Sequence, residues 1–131
     1  MTIQSLILIR GIPGSGKTTF AKQLTVNNHP IIHFEADQYF VGVDGIYRYD
    51  KSKIEAAHMW CQQQTLRYLK CNVSVVVSNT FIKQWELVPY TEMAEALNIP
   101  LHIITMEDRG WKSVHDVPVE IIESMKMNFE Y

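Results

Sequence analysis

Apolar residues in this chain fall in short runs, separated by longer stretches in which they recur at helical spacing. Residues 3–10, IQSLILIR, predict a buried strand. A helix is expected from about Lys17 to Val26, with Phe20, Ala21 and Leu24 turned inward. NNHP at 27–30 ends it, because Pro30 cannot continue a helix. IIHF, 31–34, reads as a second short strand. In YFVGVDGIYRY, 39–49, apolar and polar positions alternate around Asp44-Gly45, which predicts a hairpin turn.

A long helix is predicted over about 52–70, where Ile54, Ala57, Cys61 and Tyr68 share one face. His58 lies on the side of Ile54 and reads as a half-buried histidine. VSVVVS, 73–78, is a β-branched run that suits a strand covered on both faces. Residues 83–98 predict helix in two pieces, since Pro89 suits a first turn better than a helix middle. LHIITM, 101–106, is the next strand, EDRGWKSVHD a polar loop, and Pro118 opens a helix carrying Ile122, Met125 and Phe129. Strands alternating with helices give the expected fold: a three-layer α/β/α sandwich around a mostly parallel sheet, as one domain over 1–131. Ligands of such sheets bind beyond the C-terminal strand ends. Asp37, Ser78, Asn79 and the loop 107–116 should gather there.

Candidate chemistry starts directly after the first strand. GIPGSGKTT, 11–19, fits G-x-x-x-x-G-K-[ST] through Gly11, Gly16, Lys17 and Thr18. Ile12, Pro13, Gly14 and Ser15 fill the interval, and Thr19 follows. Such glycines let backbone N–H groups fold around a β-phosphate, and the following helix adds its positive end. Lys17 puts a point charge on the β- and γ-phosphates, and the Thr18 hydroxyl is a Mg²⁺ ligand. A chance match in a chain of this length is on the order of 0.5%, so a plain glycine turn is the poorer explanation. ATP with Mg²⁺ is the expected ligand pair.

Composition narrows the partners. Twelve basic against fourteen acidic residues leave a net charge of −2. No broad basic surface for duplex nucleic acid is expected, although a strand end or small molecule needs only a few local cations. Cys61 and Cys71 suggest neither a zinc site nor a disulfide framework. No apolar run is long enough to span a membrane and none reads as a signal peptide, so a reducing cytoplasm is the expected location.

LILIRGIPGSGKTTFAKQL, HFEADQYFVGVDGIYRYD, EAAHMW, VVVSNT and WELVPY together resemble the P-loop kinases related to bacteriophage polynucleotide kinase. The similarity is greatest to the short polynucleotide-kinase-like domains of phages and eukaryotes, and it runs from about residue 5 to the final helix. It implies an ATP-dependent kinase. Asp37 matches the family's general base, and a carboxylate just past a strand end can take a proton from an attacking hydroxyl. Glu35, two residues earlier, is the second candidate for that role.

Departures from the family pattern bear on activity. The strand ending VVVSNT should deliver an aspartate to the Mg²⁺ shell, yet Ser78, Asn79, Thr80 and Phe81 stand there. Asn79 is the expected substitute through its carbonyl, with charge from Glu35 or Asp37 across the site. The resemblance thus implies weak metal binding, and Ser78→Asp should raise activity if the lost carboxylate limits turnover. The loop offers Arg109 and Lys112 as the cations that close on the phosphates, and His115 aligns with a family histidine. Phe40 occupies the position of a family arginine that holds an acceptor phosphate. Tyr39, Phe40, Tyr47, Arg48 and Tyr49 suit either a base stack or simple packing of the hairpin. Three readings remain open: a kinase acting on a nucleic-acid 5′-hydroxyl, nucleoside or nucleotide; a small-metabolite kinase; and a nucleotide-binding module acting through a partner.

Overall fold

The computed structural model describes residues 4–26, 30–106 and 118–131. Four strands, β1 (Leu6–Arg10), β2 (Ile31–Phe34), β3 (Ser74–Ser78) and β4 (Leu101–Thr105), form one sheet in the order β2-β3-β1-β4. Every pairing is parallel, with Leu6 opposite both Val75 and Leu101, and Ile31 opposite Ser74. Four α-helices accompany them: α1 (Lys17–Leu24), α2 (Ile54–Lys70), α3 (Val88–Leu97) and α4 (Val119–Asn128).

The continuous apolar pattern of β3 is explained by cover on both sides, since all five of its residues are buried. On one face Leu6, Leu8, Val75 and Val77 pack against Cys61 and Leu69 of α2 and Tyr90 and Ala94 of α3. On the other, Ile9 and Val76 meet Ala21 of α1, with Phe20, Leu24 and Ile104 around them. Each valine or leucine so buried contributes about 1.5–3 kcal/mol. The expected three layers are present: α2 and α3, the sheet, then α1.

Local signals set the element ends. α1 stops at Leu24, two residues short of the expected Val26, and the Thr25 N–H closes back on Lys22 and Gln23 carbonyls. α3 begins with Pro89 in its first turn, where a missing N–H costs no helical bond, after a 3₁₀ turn at Gln84–Leu87. The Asp44-Gly45 turn forms, with Gly45 at φ 79°, and closes a hairpin shorter than expected. One bridge, Val41 to Tyr47, joins its arms, and Tyr39 and Phe40 belong instead to a 3₁₀ turn at Ala36–Phe40. Phe40 explains the difference: it is buried with Ala36 and Ala57 against α2, so packing overrides the alternation.

Candidate functional site

Four chain segments leave the sheet at the same edge: the glycine loop after β1, residues 35–40 after β2, Asn79 onward after β3, and Met106 after β4. The loop is bent by its glycines. Gly14 and Gly16 lie at φ 86° and 88°, a region that side-chain-bearing residues avoid. At Gly11 an added Cβ would stand 2.7 Å from Ser15 Oγ and 2.9 Å from the Met106 carbonyl oxygen, so no larger residue fits. Ser15 Oγ is buried and has no hydrogen-bond partner among the described residues. The first turn of α1 carries no acidic residue and no side-chain cap, which leaves its N–H groups and positive end toward the loop.

Lys17 opens α1, and its Nζ donates to the Ile12 carbonyl at 3.1 Å. Burial lowers its pKa to about 8, against the pull of the Glu35 and Asp37 carboxylates, which favour the charged form. Lysine, glutamate and aspartate therefore lie close enough to feel one another. The Thr18 hydroxyl, on the next residue, donates to Glu35 Oε2 at 2.9 Å. Ser78 Oγ, at the tip of β3, donates to the same oxygen at 3.0 Å. With the Ser78 proton committed there, His33 Nε2 acts as donor to Ser78 Oγ, 2.6 Å away. Burial depresses the His33 pKa, consistent with a neutral ring. Three side chains from α1, β2 and β3 thus fix the carboxylate of Glu35.

Asn79 is placed otherwise than expected. Its carbonyl oxygen accepts from the Ala36 N–H at 2.9 Å, and its amide faces Cys61 Sγ at 3.8 Å. The side chain is buried, stitching the 36–40 turn to α2. Glu35 takes the place beside Thr18. Sequence reasoning weighed Glu35 as a base and as a source of charge, and missed that its partner would be Thr18.

Asp37 sits in the 3₁₀ turn after β2. The Tyr47 hydroxyl donates to its Oδ1 at 3.1 Å, and burial together with that carboxylate raises the Tyr47 pKa. Tyr47 thereby orients Asp37, a role that ten residues of separation across a turn concealed. Of the other aromatics, Phe40 is buried, whereas Tyr39 and Tyr49 are exposed. Arg48 pairs with Asp44 at 2.7 Å on the surface. Arg109, Lys112 and His115 lie outside the described residues. Among the described residues no group of three or more His, Cys, Asp or Glu side chains could hold a metal, and no helix is long and apolar enough to cross a membrane.

A parallel sheet in this order, whose first strand runs into GIPGSGKT and a helix, defines a P-loop kinase-like α/β protein. The chain belongs to the AAA domain family AAA_33, whose profile matches residues 6–130. It is 27% identical over 135 residues to NEDD4-binding protein 2 of Homo sapiens, covering 95% of this chain and 8% of that protein. Among solved structures, a chain of the Pnkp1/Rnl/Hen1 complex superposes with a TM-score of 0.63 at 18% identity, over 95% of this chain and 39% of that one. The Mycobacterium tuberculosis APS kinase CysC in complex with AMPPNP and APS gives a TM-score of 0.60 at 12% identity, over 95% of this chain and 69% of that one. At such identities the structural likenesses establish the fold. The chain spans less than half the length of the first two of these relatives.

Proposed function

We propose that this chain binds ATP on Gly11, Ile12, Pro13, Gly14, Ser15, Gly16, Lys17, Thr18 and Thr19 and transfers its γ-phosphoryl group to a hydroxyl. One observation carries the reading: Lys17, Thr18, Glu35 and Asp37 converge where the loop meets the tips of β1 and β2. Asp37, oriented by Tyr47, takes the proton of the acceptor hydroxyl as its oxygen attacks. The new O–P bond forms on the γ-phosphorus while the bond to the β-γ bridging oxygen breaks. ADP leaves with that electron pair. Lys17 steadies charge on the β- and γ-oxygens.

Magnesium fits the donor set present, a carboxylate and a hydroxyl in contact at 2.9 Å. Thr18 and Glu35 would hold it, and when bound it neutralises phosphate charge. Glu35 in this reading does the work of the aspartate that Ser78 replaces, with Ser78 and His33 as its supports. Arg109 and Lys112 retain the expected lid role.

A polynucleotide 5′-hydroxyl end is the first acceptor proposed, supported by the family resemblance and by likeness to a chain of an RNA repair complex. A nucleoside or small metabolite is the second reading, favoured by Phe40. It is buried against Ala36, Ala57 and Tyr47, so no cation stands there for an acceptor phosphate. Incubation with labelled ATP beside 5′-hydroxyl oligonucleotides and a nucleoside panel separates the two. If nothing is labelled while calorimetry records ATP binding that Lys17→Ala abolishes, the chain is a binding module and the transfer reading is wrong.

A further inference from the structure

Tyr47 holds a hydroxyl where the mechanism above requires one. Its oxygen lies 3.1 Å from Asp37 Oδ1 and donates its proton toward the carboxylate assigned as general base. Local structure fixes this presentation. Tyr47 pairs with Val41 across the antiparallel bridge, and the next residue, Arg48, donates its N–H to the Phe40 carbonyl at 2.9 Å. The Tyr47 ring stands edge-on to that of Phe40, with centroids 6.2 Å apart, and Phe40 is anchored against Ala57 of α2. A hydroxyl held in this way needs little further ordering to react, the same advantage that a bound acceptor gains.

The neighbouring hydroxyls are placed differently. Thr18 and Ser78 both donate to Glu35. Tyr39 and Tyr49 are exposed, the first with its ring against Phe40 and Trp60, the second against Phe40. Burial and the Asp37 carboxylate raise the Tyr47 pKa. The phenol therefore keeps its proton at neutral pH and needs a base to attack, as an alcohol does. Asp37 in turn lies close enough to Lys17 for their charges to interact. Tyrosine, base and phosphate-holding lysine thus follow one another across the site.

We propose that, when no outside acceptor is bound, the chain phosphorylates its own Tyr47. The inference rests on the transfer reading above. Asp37 takes the phenolic proton as the Tyr47 oxygen bonds to the γ-phosphorus of ATP. The bond from that phosphorus to the β-γ bridging oxygen breaks, and ADP leaves with the electron pair. The product carries about −1.5 to −2 charge beside Asp37 and Glu35, and like charges so close repel. Asp37 then loses the hydroxyl that oriented it, and the reaction stops at one phosphoryl group per chain.

Incubating the full chain with ATP and magnesium, with no acceptor added, tests this by site-resolved mass spectrometry. Phosphate is expected on Tyr47, and Tyr47→Phe should remove it. The rate constant should hold when the protein is diluted about 10-fold, because base and acceptor belong to one molecule. Asp37→Asn should slow the modification by about 10²-fold or more. Parallel incubations with 5′-hydroxyl oligonucleotides and nucleosides separate this inference from the reading beneath it. Labelling of an added acceptor, while Tyr47 stays unmodified when acceptors are withheld, overturns self-transfer and leaves the kinase reading standing. Phosphate on Tyr39 or Tyr49 instead, a rate that falls with dilution, or Tyr47 labelling undiminished by Asp37→Asn overturns it as well. Label on neither Tyr47 nor any acceptor overturns the transfer reading and this inference together.

Discussion

Thr18 and Glu35 meet at 2.9 Å, a hydroxyl from the first turn of α1 donating to a carboxylate just past β2. The pair places negative charge beside the loop from β2, whereas the family pattern brings it from β3. Glu35→Gln keeps the hydrogen-bonding shape and removes the charge. It should weaken Mn²⁺ or Mg²⁺ binding in the presence of ATP by about 10-fold, read by metal titration, with the fold intact by circular dichroism.

The same geometry reverses the sequence-based expectation for Ser78→Asp. An aspartate there would face Glu35 at the distance now spanned by a 3.0 Å hydrogen bond, and two carboxylates so close repel. The single change should lower thermal stability and leave activity no higher. Glu35→Ser combined with Ser78→Asp should recover both, which a double-mutant comparison measures.

Asp37→Asn should reduce phosphoryl transfer by about 10²- to 10⁴-fold while ATP affinity stays within about two-fold. Tyr47→Phe removes only the orienting hydroxyl. It should lower kcat by about 10-fold with KM for ATP unchanged, in steady-state kinetics. Transfer by Asp37→Asn at the original rate would remove this residue from the mechanism.

Lys17 costs the fold stability while equipping it for phosphate. Its pKa falls from 10.5 to about 8, so the native state binds fewer protons than the unfolded chain between those values. The penalty is full below about pH 8 and disappears as pH rises toward 10.5. Lys17→Met should therefore abolish ATP binding and raise stability at pH 7 by on the order of 1 kcal/mol. Thermal melts from pH 7 to 10 should show the advantage of the variant shrinking as pH rises.

Phe81 holds a left-handed backbone, φ 46°, which a bulky aromatic residue adopts only when its surroundings compel it. Its ring meets Tyr90 edge-on at 5.6 Å and is buried. Phe81→Asn relieves about 1 kcal/mol of backbone strain and loses about 3 kcal/mol of packing. Urea denaturation should report a net loss.

How far the sequence could be read depended on how local each cause was. β3 was legible because cover on both faces demands the run VSVVVS, and the break before α3 because Pro89 dictates it. GIPGSGKT revealed its bend because glycine alone tolerates φ near 87°. The turn at 36–40 was not legible, since burial of Phe40 against a helix beginning at Ile54 is a tertiary event. Nor was the commitment of Asn79 to Ala36, a contact across 43 residues. Glu35 could be placed near the loop by strand parity, but its hydroxyl partners come from two other elements.

The two cysteines differ in a way that makes them natural probes. Cys61 is fully buried on the sheet-facing side of α2 beside the Asn79 amide, and burial pushes its thiol pKa up, whereas Cys71 is exposed. A thiol reagent should modify Cys71 at once and reach Cys61 only when α2 lifts from the sheet. The labelling rate of Cys61, with Cys71 as internal clock, would then time how often α2 parts from the sheet, and whether nucleotide slows it.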